Sequence, residues 1–127
     1  MNDQGFIPAP HKPLHIYFMK PVGMLGPVKI GCSRFVGQRL DTLMAWSPFP
    51  LETMASAVGD FRLERHLHDR FAHCRLHKEW FDPSIDLLER IEKVRCGASI
   101  MDAFDVEERL RKRWGLWVPR YVARAAA

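Results

Sequence analysis

Apolar and polar residues alternate from residue 14 to 19, where Leu14, Ile16 and Phe18 fall on one side and His15, Tyr17 and Met19 on the other. A period of two predicts a strand. Residues 28–32 repeat the pattern, with Val28, Ile30 and Cys32 opposed to Lys29 and Gly31. The short connection from Pro21 to Pro27 carries Gly23 and Gly26, so the two strands read as a hairpin. A third strand is expected over 51–58, with Leu51, Thr53, Ala55 and Ala57 on one side.

Between the strands the period lengthens. Ser33 can cap a helix running to about Trp46, whose apolar stripe is Val36, Leu40, Leu43 and Met44, with Arg39 on its flank. Ser47-Pro48-Phe49-Pro50 stops it. Asp60 is the expected cap of a second helix reaching about Cys74, with Leu63, Leu67, Phe71 and Cys74 inward. Glu64 and His68 lie one turn apart on the neighbouring row. Lys78 to Phe81 is a compact aromatic segment, in which Glu79 and Trp80 read as securing a loop to the core. Asp82-Pro83-Ser84 starts a third helix with Ile85, Leu88 and Ile91 inward, and Gly97 ends it. Residues 99–114 are expected to form one more helix, with Ile100, Phe104, Leu110 and Trp114 as apolar contacts. Pro8, Pro10 and Pro13 make the first thirteen residues an extended arm.

Composition narrows the class. With 127 residues, 47% hydrophobic and 27% charged, the chain suits one globular domain. Its net charge of +4 and pI of about 9.2 favour a polyanionic partner, because each cation that meets a phosphate releases a counterion. Six basic residues and no acidic one lie between Arg109 and Arg124. This stretch is either a solvated helix face or a phosphate-contacting extension, with Trp114, Trp117 and Tyr121 as stacking surfaces. Cys32, Cys74 and Cys96 are odd in number and form no C-x-x-C pair, which fits a reducing cytoplasm and buried thiols. No stretch approaches the ~18 apolar residues that span a bilayer, so no membrane role is expected. Four of six histidines fall between His66 and His77, yet no zinc spacing accompanies them.

His15-Ile16-Tyr17, followed after a gap by Lys29-Ile30-Gly31, resembles the two halves of the GIY-YIG nuclease signature. Arg39-Leu40, Glu64 to Phe71, and Glu79-Trp80-Phe81 continue the likeness toward the phage open-reading-frame subgroup of that superfamily. It covers about Leu14 to Ile91. The resemblance implies an α+β fold, a small antiparallel three-stranded sheet flanked by helices, here with an extra C-terminal helix. It divides the chain into an arm (1–13), a nuclease-like domain (14–95) and a basic helical extension (96–127). It also implies metal-dependent cleavage of a phosphodiester, with Tyr17 as base or orienting group, Arg39 on the scissile phosphate and Glu64 on a divalent ion. Two positions depart from the signature, where His15 replaces a glycine and Lys29 a tyrosine.

The chemistry also follows from the residues themselves. Arginine presents a bidentate fork to phosphate. Mg²⁺ or Mn²⁺ takes oxygen ligands and keeps waters, so one carboxylate can suffice. A phenol with a pKa near ~10 needs a neighbouring cation to act as a base, and Lys29 shares its strand face. His68, one turn from Glu64, can orient water or relay a proton. Arg34, Arg109, Arg111, Lys112 and Arg113 are the expected nucleic-acid contacts. The leading expectation is a Mg²⁺-dependent endonuclease acting on DNA in a phage or bacterial cytoplasm. Its rivals are a GIY-YIG-like binding module without catalysis and a protein-interaction domain.

Overall fold

In a computed structural model, which describes residues 12–113, the expected hairpin becomes the centre of an antiparallel sheet. Its strands are β1 (His15–Pro21), β2 (Val28–Ser33), β3 (Leu51–Val58), β4 (Arg75–His77) and β5 (Trp80–Phe81), in the spatial order β3-β1-β2-β5-β4. The helices are α1 (Val36–Trp46), α2 (Phe61–Arg70), α3 (Ile85–Arg95), α4 (Ile100–Ala103) and α5 (Glu108–Arg113). The architecture is α+β, as expected, but the sheet has five strands rather than three. The added pair comes from the aromatic segment, where Lys78 takes a positive φ of 52° and turns the chain back between β4 and β5. The expected arm up to residue 11, and the residues from Trp114 onward, including Trp117, Arg120, Tyr121 and Arg124, lie outside the described residues.

Strand register separates two faces. Ile16 opposes Cys32 and Phe18 opposes Ile30, whereas Tyr17 opposes Gly31 and Met19 opposes Lys29. Ile16, Phe18, Val28 and Ile30 join Leu63, Leu67 and Phe71 of the α2 region and Leu87, Ile91 and Val94 of α3 in one buried core. The alternation expected for β3 breaks at Met54. A bulge between Phe18 and Met19 leaves Met54 unpaired, so Thr53 opposes Met19 while Ala55 opposes Phe18. A bulge inserts one residue and shifts everything beyond it to the other face. Thr53 and Ala55 therefore do not share a side.

The helix caps follow local chemistry. The Asp60 carboxylate accepts from the Arg62 and Leu63 amides, and the Ser84 hydroxyl accepts from the Leu87 amide. Ser33 does not cap α1 as expected, because its hydroxyl accepts from the Phe35 amide at 3.0 Å ahead of the helix and the capping position falls on Phe35, with no side-chain cap bond. Gly97, with φ of 110°, closes α3 in a conformation that favours glycine. Three further expectations need correction. The second helix ends at Arg70 and tightens into a 3-10 turn over Ala72–Cys74. Ile85 is exposed, because the inward row of α3 is Leu87, Ile91 and Val94. Residues 99–114 do not make one helix. Asp105 adopts φ of 51°, separating α4 from α5.

That break turns the segment inward. Phe104 stacks on Phe18 at 5.7 Å between ring centres and meets Phe71 edge-on at 5.9 Å. Ile100, Met101, Ala103 and Val106 join the same core. Burying a side chain of this size contributes roughly 1.5–3 kcal/mol, so residues 100–106 are a structural part of the sheet's covering layer. On the other face, α1 packs against β1, β2 and β3 yet contains no fully buried residue. It is a thin lid, and the space beneath it is the site.

Candidate functional site

The site begins with a strand pair. Tyr17 on β1 is 2% exposed and lies across from Gly31 of β2. A Cβ built at Gly31 would fall 2.3 Å from the phenol oxygen, so the missing side chain is the room in which the ring lies. Its hydroxyl makes no hydrogen bond to any described residue. Burial pushes the phenol up to about 12, reinforced by the Glu79 and Glu64 carboxylates and opposed by the Arg39 guanidinium.

Arg39 comes from α1 and reaches the same cavity, of about 220 Å³, together with Leu43 one turn later. Its guanidinium has no ion pair or side-chain hydrogen bond among the described residues. An unmatched guanidinium beside a buried phenol is prepared for an anion that brings its own charge.

Glu64 enters from α2 on the other side of β2. This is possible because β5 is short and pairs only with Val28 and Lys29. Beyond them, α2 abuts the β2 backbone, and the His68 Nε2–H donates to the Ile30 carbonyl at 2.8 Å. The His68 ring also packs on Phe81 at 5.3 Å. The Glu64 carboxylate lies 3.9 Å from His68 Nε2 and lines the cavity with Tyr17 and Arg39. Burial first, then Glu79, pushes it up to about 7, against the pull of Lys29 and Arg65.

Lys29 faces the site but donates to Glu79 Oε1 at 2.9 Å and lies 5.6 Å from the Trp80 ring centre. The Arg39 guanidinium opposes the burial of the phenol, while Lys29 is engaged by Glu79. Glu79 is more than a loop anchor. Its carbonyl accepts from the Ile30 amide at 3.0 Å, and its side chain lines the cavity as a second carboxylate. Its place in the Glu-Trp-Phe run was the available signal. Phe61 and Cys32 also line the cavity. Nothing in the apolar periodicity marks Phe61, which is the first residue of α2 and off its buried row. The Cys32 thiol donates to the Gly59 carbonyl and is pushed up to about 12 by burial, so it stays a thiol.

Residues 14–98 match the T5orf172 domain. The chain belongs to the T5orf172 domain family. No curated protein and no solved structure matches it. Membership of this phage-associated family is consistent with a nuclease or nucleic-acid-binding module. Among the described residues, no helix is long and apolar enough to cross a membrane.

The expected nucleic-acid contacts of this T5orf172 domain are dispersed. Arg34 is exposed and donates to the Lys12 carbonyl. Arg111 donates to the Val106 and Met101 carbonyls and pairs with Asp102, which ties α5 to α4. Arg109 pairs with Glu107 at 3.4 Å. Lys112 is exposed, and Arg113 faces a cleft against α2.

No group of three or more His, Cys, Asp or Glu side chains is gathered to hold a metal among the described residues. Glu64 and Glu79 nevertheless both line the cavity and offer carboxylate oxygens, with Glu64 pushed up to about 7 chiefly by burial and then by Glu79. That chemistry suits Mg²⁺ or Mn²⁺, which keep waters, and does not suit zinc.

Proposed function

We propose that this chain is a divalent-metal-dependent endonuclease that hydrolyses phosphodiester bonds in DNA, of the GIY-YIG type that its motif order resembles. One observation carries the reading: a buried phenol and a guanidinium without an ion pair among the described residues share a small cavity with a carboxylate, from three separate elements. Phosphoryl transfer asks mostly for positioning and charge stabilisation, and these groups supply both.

Arg39 holds the non-bridging oxygens of the scissile phosphate, where charge accumulates. Tyr17, neutral and confined by Gly31, orients the attacking oxygen through its hydroxyl. Glu64 would hold the Mg²⁺ or Mn²⁺, with Glu79 as the second carboxylate that lines the cavity. A bound ion of this kind stabilises the attacking or leaving oxygen. Lys29 fixes the Glu79 carboxylate, and His68 fixes α2 against β2 so that Glu64 points into the cavity.

Nicking of supercoiled plasmid DNA by the purified protein tests this. Cleavage is expected with Mg²⁺ or Mn²⁺, and its loss with chelator. Arg39→Ala and Glu64→Ala are expected to abolish it while circular dichroism stays unchanged. Wild-type cleavage by both variants would refute the site. A binding module without catalysis is the second reading, favoured by the phenol, which at about 12 is no base in the free protein. Salt-sensitive DNA binding without any metal-dependent nicking would select it.

A further inference from the structure

The cavity holding Tyr17, Arg39 and Glu64 opens past Phe61. This side chain is 60% exposed although it is a large apolar ring. It lines that cavity and also two neighbouring clefts. One of these lies against α5, has a volume of about 470 Å³ and is lined by Arg65 and Arg113. Arg62 lines it too but is pinned to Asp60 by a hydrogen bond of 2.6 Å, and Asp69 is the one acidic side chain lining it.

The helix orders these groups. Phe61 and Glu64 are three residues apart and Phe61 and Arg65 four, so each pair is neighbouring on the α2 surface, with Cβ atoms about 5–6 Å apart. The ring thus borders both spaces, with Glu64 lining the cavity and Arg65 lining the basic cleft. Exposed aromatic rings beside cations bind bases by stacking and backbone by charge.

We propose that Phe61 and the cleft lined by Arg65 and Arg113 form a nucleotide subsite next to the scissile phosphate, with the flanking base stacked on Phe61 and its phosphate held by the two arginines. A base lying on Phe61 has left its own stack. The substrate class is therefore DNA with an unpaired nucleotide beside the cut: a single strand, a flap or a distorted duplex. This rests on the nuclease reading for its location, but not for its binding chemistry.

The test uses the full chain without divalent metal, so that binding is read apart from cleavage. The probe is a short fluorescein-labelled single-stranded deoxyoligonucleotide, followed by anisotropy, with a blunt duplex of the same sequence as comparator. The single strand is expected to bind more tightly than the duplex. Phe61→Ala is expected to weaken single-strand binding about 5- to 100-fold with its salt dependence unchanged, and Phe61→Trp to restore it. Arg65→Ala and Arg113→Ala are each expected to lower the slope of log affinity against log salt by about 0.7. Single-strand binding by Phe61→Ala within twofold of wild type, or preference for the blunt duplex, overturns the subsite and leaves the catalytic proposal standing. Intact binding effects in a protein that cuts no DNA would remove the nuclease reading and keep the subsite.

Discussion

Tyr17 and Gly31 face each other across β1 and β2, and the absent side chain of one is the space filled by the ring of the other. Adding a methyl group at Gly31 forces the ring out of its place. Gly31→Ala is expected to cost about 1–3 kcal/mol by overpacking and to impair cleavage. In a Tyr17→Ala background the same substitution should cost nearly nothing. Urea melts of the four proteins measure this coupling. Equal costs in both backgrounds would show that the ring does not depend on the glycine.

The raised Glu64 links stability to pH. Its carboxyl is about 7 in the folded protein and 4.5 when exposed. The folded state therefore holds the proton more tightly. The stabilisation is fully present below pH 4.5 and is lost as pH rises through 7. Glu64→Gln removes the ionisation and should raise metal-free stability above pH 7 relative to wild type, by roughly 1–3 kcal/mol after allowance for partial solvation. The two proteins should converge near pH 4.5. Thermal melts at pH 5 and pH 8 decide it, and a gap that shrinks toward pH 8 contradicts the assignment. Mn²⁺ should stabilise wild type at pH 8 and leave Glu64→Gln little changed.

On the proposed reading, His68 acts through position. Its Nε2–H bond to the Ile30 carbonyl seats α2 on the β2 backbone. His68→Ala leaves that carbonyl without its donor and is expected to cost about 1–3 kcal/mol. Cleavage should fall with it, but the pH profile of the residual activity should keep its shape. A profile that loses an inflection near neutrality would instead assign His68 to proton transfer.

Arg39 should behave in the opposite way. Its guanidinium has no partner among the described residues, so Arg39→Ala should leave the melting temperature within error. Turnover should fall about 10²- to 10³-fold or more. Arg39→Lys should recover little of this, because a point charge cannot offer the two-pronged contact. Full activity in the lysine variant would argue against bidentate phosphate binding.

Arg111 and Arg113 are near neighbours in a basic run, yet the fold separates them. Arg111 clasps Met101, Val106 and Asp102, whereas Arg113 faces the cleft beside α2. Arg111→Ala should lower stability by about 1–3 kcal/mol and leave the salt dependence of DNA binding unchanged. A change in salt dependence without a change in stability would reverse that reading.

Much of the local structure was legible in the chain itself. The two alternating runs around Tyr17 and Lys29 define the hairpin, and Asp60, Ser84 and Gly97 mark helix ends, because alternation and capping involve groups only a few residues apart. The likeness of the ordered motifs to a nuclease signature also points to Tyr17, Arg39 and Glu64. What the tertiary structure decided depends on pairings distant in sequence. The bulge at Met54 reverses a face, the two-residue β5 leaves β2 open to α2, and the turn at Asp105 sends Phe104 under the sheet. None is visible locally, since each depends on which strand or ring lies opposite. The same holds for Lys29, which pairs with Glu79 fifty residues away, and for Phe61, exposed where three clefts meet. Periodicity tells which side of an element is apolar. Only packing tells what that element faces.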